Sequence, residues 1–151
     1  MPHVFHMING VCVVNIQIHH IVNNMLEKRN SRIQGLVGIG SAIEYFTKND
    51  YIVSIPLTDS QEYDLIVEKD NILKRVQVKT GRYKRGNRWL IGLRTSGGNM
   101  SRYTRKHFDK TKCDFLFVLV EDGKRWLIPV EDVKGTSGIN LGGIEYEKFL
   151  V

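Results

Sequence analysis

Apolar residues change their spacing twice along this chain, and each change marks a different kind of element. From Ile33 to Phe46 the apolar positions Ile33, Leu36, Val37, Ile43 and Phe46 fall at mixed spacings of three, four and six, with Gly35, Gly38, Gly40 and Ala42 between them. That spacing predicts a helix. Each glycine weakens a helix by about 0.8–1.0 kcal/mol relative to Ala, so close packing or a ligand would explain their retention. The segment "KND" at 48–50 ends the helix. Beyond it "YIVSIPL", "YDLIV", "ILKRVQV" and "RWLIGLRT" are short runs rich in branched and aromatic residues, divided by the turn-forming "TDSQ", "EKDN" and "GRYKRGN". They predict four strands in a meander. Residues 99–111, "NMSRYTRKHFDKT", predict a second helix, "CDFLFVLV" a central strand buried on both faces, "EDGK" a hairpin turn and "RWLIPV" the returning strand. The tail "VEDVKGTSGINLGGIEYEKFLV" predicts irregular closure with one short final element.

Residues 1–30 differ in texture. They hold four of the five His residues and show no clear period, so they are expected to form an N-terminal extension, with one α/β domain over residues 31–151. Within the extension "GVCVVNIQI" has the β-branched content of a peripheral strand. The opening lacks a basic leader and is interrupted by Asn9, Asn15 and Gln17, which argues against a signal peptide or a spanning segment. His3, His6, His19 and His20 match no recognised metal-ligand spacing. Cys12 and Cys113 lie far apart, so neither a disulfide framework nor a zinc site is expected, and a reducing cytoplasmic or organellar compartment fits. The run "GLVGIG" reverses the order of a dinucleotide loop, and no Gly-Lys-Ser/Thr follows to make a P-loop.

Charge sharpens the picture through its distribution. The whole chain is net +6, yet Arg82 to Lys112 alone carries ten basic residues against the single acid Asp109, so the remainder is net negative. Confinement to one stretch favours a nucleic-acid footprint over general solubility. Arg82, Lys84 and Arg85 in a Gly-flanked loop are candidates to track phosphates, and Arg94 with Asn99 to reach base edges. On the predicted second helix Arg102, Arg105 and Lys106 share one face, as a helix lying against a phosphate backbone requires.

The candidate chemistry sits just before that stretch. Alternation in "YDLIV" puts Asp64 on the same face as Ile66, and alternation in "RVQVKT" puts Gln77 and Lys79 side by side on one face. If the two strands pair through "EKDN", Asp64, Gln77 and Lys79 meet at one end of the ladder. An Asp carboxylate and a Gln carbonyl are hard oxygen ligands of the kind Mg²⁺ takes while leaving most of its shell to water and phosphate oxygens. Lys79 adds a fixed cation where charge develops on a phosphate. The bland alternative is a hairpin with a solvent-facing polar side.

The ordered set "YIVSIPL", "YDLIV", "RVQVKT", a basic loop, "LRT" with a following Asn, "DFLFV" and "LIPVEDV" resembles the PD-(D/E)xK nuclease superfamily, and within it the small group I intron-encoded homing endonucleases. The similarity spans roughly residues 33–150. It implies a restriction-endonuclease-like αβββαβ core with a mixed β-sheet flanked by helices. It also implies a divalent cation, Mg²⁺ or Mn²⁺, and metal-dependent cleavage of double-stranded DNA, with Asp64 and Gln77 as metal ligands and Lys79 as the third catalytic residue. Cutting both strands needs two active sites, hence a homodimer or homotetramer. The sequence departs from the superfamily pattern in three places. Tyr63 replaces the usual Pro and Gln77 the usual acid, both as in the homing subgroup, and Ile39 stands where a helical Glu is expected. Glu44 lies about 140° further round the helix and faces elsewhere. One acidic ligand instead of two weakens metal binding, which keeps a DNA-binding relic in view. A Holliday-junction resolvase would share the site chemistry and differ in substrate.

Overall fold

In the computed structural model, which describes residues 6–8, 11–13, 30–58, 60–96 and 105–151, the first long element is α1 (Ser31–Lys48). Asn30 caps it by accepting the Arg32 N–H at 3.0 Å. It stops where predicted, because the Asn49 amide donates to the Tyr45 carbonyl at 2.8 Å and Asp50 turns into the left-handed region at φ 64°. Ahead of α1, β1 (His6–Ile8) pairs antiparallel with β2 (Val11–Val13). Most of the expected N-terminal extension lies outside the described residues.

Three strands follow α1 as a meander: β3 (Ile52–Ser54), β4 (Leu65–Lys69) and the long β5 (Ile72–Gly81). The β4–β5 turn is Asp70-Asn71, both at positive φ, the two-residue geometry whose twist matches the flanking strands. The main sheet is completed by β10 (Phe115–Val120), parallel to β5, and β11 (Arg125–Pro129), antiparallel to β10, giving the order β11-β10-β5-β4-β3. The "EDGK" hairpin turn forms as expected, with Gly123 at φ 84°. Leu116 to Val120 are all buried, as a strand covered on both faces requires.

The fourth expected meander strand departs from that plan. Strands β6 (Lys84–Arg85) and β7 (Arg88–Gly92) leave the main sheet and join β12 (Gly138–Leu141) in a separate three-stranded sheet. Burial explains the choice. The alternation in β7, with Trp89 and Ile91 buried and Arg88, Leu90 and Gly92 exposed, suits a layer wet on one side, whereas the place beside β5 is taken by the wholly apolar β10. The helix expected over residues 99–111 is corrected in its described part: β9 (Arg105–Lys106) is extended and pairs with β8 (Thr95–Ser96), and residues 107–112 run as loop and turn. Thr111 donates to the Asp109 carboxylate from both its amide and its hydroxyl, a local bonding pattern that competes with helix. The strand β12 hides in the glycine-rich tail, which also carries the short α2 (Ile144–Glu147).

Two apolar layers sandwich the main sheet. One unites Ala42 and Phe46 of α1 with Leu65, Val67, Val76, Val78, Phe117 and Leu119. The other joins Leu116, Val118, Val120, Trp126 and Ile128 to Trp89, Ile91, Ile139 and Leu141 of the second sheet. The architecture is a mixed α/β fold of the restriction-endonuclease-like kind. No helix among the described residues is long and apolar enough to cross a membrane.

Candidate active site

The β4–β5 register pairs Leu65 with Val76, so Asp64, one residue earlier, stands opposite Gln77. The Asp64 amide donates to the Val76 carbonyl at 2.8 Å. Because β4 begins only at Leu65, the Val78 N–H is satisfied instead by Asp64 Oδ2, at 2.7 Å. The same oxygen accepts from Gln77 Nε2 at 2.6 Å, and Nε2 also reaches the Val78 carbonyl at 3.3 Å. Two acceptors around Nε2 fix the amide orientation. Among the described residues, Asp64 Oδ1 and Gln77 Oε1 therefore receive no protein hydrogen bond.

Gln77 is the one buried polar side chain of the described core. By alternation it and Lys79 share the face away from α1, and the parallel pairing sets them beside Leu116 and Val118 of β10. Desolvation dominates the electrostatics. It lifts the Asp64 carboxyl above its ordinary value, against the Val78 N–H and the Lys79 cation, which pull it down. It lowers Lys79, against the nearby Asp64 and Cys113, which raise it. The buried Cys113 thiol is pushed up to about 11 by the same cause, so it lines the site as a neutral apolar group. Asp64 and Lys79 thus interact across a partly buried face of the sheet, each with its charged form disfavoured by desolvation.

Among the described residues no group of three or more His, Cys, Asp and Glu side chains gathers, so the oxygens on offer to a cation here are those of Asp64 and Gln77. One anionic and one neutral oxygen donor fit a hard divalent ion that draws the rest of its shell from water and phosphate, and do not fit a zinc-type centre. Ile39 packs half-buried against the layer on the α1 side of the sheet. Glu44 pairs with Lys48 and, at 2.6 Å, with Arg125 of β11, so it supplies no second acid.

The expected DNA-contacting residues scatter in environment. Arg82 is half-buried, 3.8 Å from Glu121, and Lys106 lies 3.9 Å from Glu62, so both have carboxylate partners. Lys84 sits over the Trp89 ring at 4.9 Å. Arg85 is exposed at the β6–β7 turn, and Arg94 is exposed and donates to Ser137 Oγ at 3.2 Å. Asn99 and Arg102 lie outside the described residues, and Arg105 is placed only as part of β9. Arg88 and Asn140, which are not among the sequence candidates, share the outer face of the second sheet, and the alternation in "RWLIG" carries that signal for Arg88.

Comparison with known proteins bears on the family and the fold. A family model described as PD-(D/E)XK endonuclease matches residues 30–142. Among solved structures, the bacterial homing endonuclease I-Ssp6803I is similar, with a TM-score of 0.60 and 26% sequence identity over 76% of each chain. A search of curated protein sequences gives no match.

Proposed function

Because the chain belongs to the PD-(D/E)XK endonuclease family, we propose that it is a site-specific homing endonuclease that hydrolyses phosphodiesters in both strands of duplex DNA with Mg²⁺ or Mn²⁺. The single observation that carries this reading is the junction of Asp64, Gln77 and Lys79 on one face at the β4–β5 edge, with Gln77 bonded to Asp64 at 2.6 Å. Asp64 and Gln77 would hold the cation through Oδ1 and Oε1. When bound, that ion supplies Lewis-acid polarisation of the phosphate and a readily ionised water. Lys79 presents its ammonium to the charge that develops on the phosphate, and its desolvation makes that charge count for more than it would in bulk water. The neutral wall of Cys113, Leu116 and Val118 limits competing solvent. A break in both strands requires two such sites, so the working form is a homodimer or homotetramer.

Ile39 favours one second reading, a protein that has kept DNA binding while its cutting has weakened. A resolvase-like action on four-way junctions uses the same site and is separated by substrate. The test is incubation of the protein with a randomised duplex library, with and without Mg²⁺, followed by sequencing of cut ends. Discrete Mg²⁺-dependent ends at a preferred sequence support the homing reading. Retention of DNA with no new ends supports the relic, and preferential cutting of four-way junctions supports the resolvase.

A further inference from the structure

The outer face of the β6–β7–β12 sheet differs from the rest of the basic surface. Arg85 and Arg88 are a cross-strand pair, and alternation along β7 adds Leu90 and Gly92 on that face, with Arg94 just beyond the strand. The β7–β12 register places Asn140 opposite Leu90 and Gly138 opposite Gly92. All of these positions are exposed, and none is acidic. Elsewhere among the described residues three arginines are tied to carboxylates, Arg75 to Asp114, Arg82 to Glu121 and Arg125 to Glu44, whereas Arg32 at the start of α1 is not. Among the described residues Arg85, Arg88 and Arg94 have no such partner. Arg94 is instead held by Ser137, and the Arg88 guanidinium lies along Gly143, 3.6 Å from where a Cβ would stand.

Glycine content adds an independent observation. A Cβ at Gly92 would meet nothing within 4 Å and its φ is unexceptional, so neither packing nor backbone demands glycine there. Its effect is to leave the middle of the face flat beside Gly138. The longer strands β7 and β12, with Arg85 of the two-residue β6 at their flank, form a ribbon of the kind the major groove, about 12 Å wide, admits.

Resting on the reading of the chain as a duplex nuclease, we infer that this sheet face enters the major groove and sets sequence preference, with Arg88 and Arg94 directed to guanine edges, Asn140 to adenine and Leu90 to a thymine methyl. Arginine pairs with guanine O6 and N7, asparagine with adenine N6 and N7, and apolar groups with the thymine methyl.

The test reads binding, so that it stands apart from cleavage. Full-length protein carrying Lys79→Met is used to select from a randomised duplex library without Mg²⁺, and the enriched sequences are compared with those selected when Arg88→Ala, Asn140→Ala or Gly92→Thr is added. Arg88→Ala and Asn140→Ala are expected to relax preference at separate base positions by roughly tenfold each. Gly92→Thr, which fits sterically and suits a strand, is expected to raise Tm while abolishing selective enrichment. Unchanged preferences in all three variants, or an affinity loss equal for every sequence, would overturn the inference. Failure of the parent to cut, with these preferences intact, would count against the proposed activity alone.

Discussion

Gln77 Nε2 lies 2.6 Å from Asp64 Oδ2, so the amide is fixed by the carboxylate and turns its own oxygen away from it. Burial outweighs the bond from the Val78 N–H and the neighbouring Lys79 in setting the Asp64 equilibrium, which is raised above the ordinary 3.8. In metal-free protein, carboxyl-carbon NMR should show Asp64 titrating above that value. Lys79→Met removes a cation that lowers the pKa, so it should move the midpoint higher still. A midpoint below 3.8 would show that the hydrogen bonds and the cation outweigh burial.

Gln77→Glu replaces the neutral ligand with the superfamily's usual acid. It also sets a second carboxylate against Asp64, where like charge raises the pair's proton affinity. Metal-free Tm at neutral pH should fall, and Mg²⁺ affinity should rise by about tenfold as ligand charge doubles. Thermal shift at increasing Mg²⁺ measures both, and equal Mg²⁺ responses in variant and parent would argue against Gln77 as a ligand.

Lys79 costs the fold stability for the sake of its position. Its folded pKa is lowered, so the penalty for the charged form is fully present below the lowered value and is relieved as pH climbs from there toward the ordinary 10.5. Lys79→Met should therefore raise Tm at pH 7, with the gain shrinking at alkaline pH. Calorimetry across pH would contradict this if the variant melted lower than the parent at pH 7.

The glycines of α1 are not alike. At Gly38 a Cβ would fall 2.6 Å from Thr80 Cγ2 and 3.2 Å from Val78 Cγ1, so the helix rides directly on β5 there. At the exposed Gly40 nothing lies within 4 Å. Gly38→Ala should cost about 1–3 kcal/mol by overpacking. Gly40→Ala should gain about 0.8–1.0 kcal/mol from helix propensity. Urea unfolding of the two variants checks the contrast, and a stabilising Gly38→Ala would remove the close approach from the account.

Much of this was written locally. The meander from Ile52 to Gly81, the "EDGK" turn and the buried strand at Phe115–Val120 follow from short-range alternation and turn chemistry. So does the meeting of Asp64 with Gln77, because a two-residue turn fixes the register. What local pattern left open was non-local. Whether β7 pairs beside β5 or with β12 depends on competition from β10, and "GINL" reads as loop until β7 supplies its partner. The basic segment at 105–111 had helical spacing, yet the β8–β9 pairing and the Asp109 turn took its backbone.

The most direct measurement is the single-turnover cleavage rate of a selected duplex target in Mg²⁺ by parent and Asp64→Asn proteins, with DNA affinity determined in parallel. Asparagine keeps the oxygen that accepts from Val78 N and Gln77, so the fold and DNA binding should persist. The account predicts a rate lower by at least about a thousandfold at unchanged affinity. Cutting by Asp64→Asn at the parent's rate would contradict it.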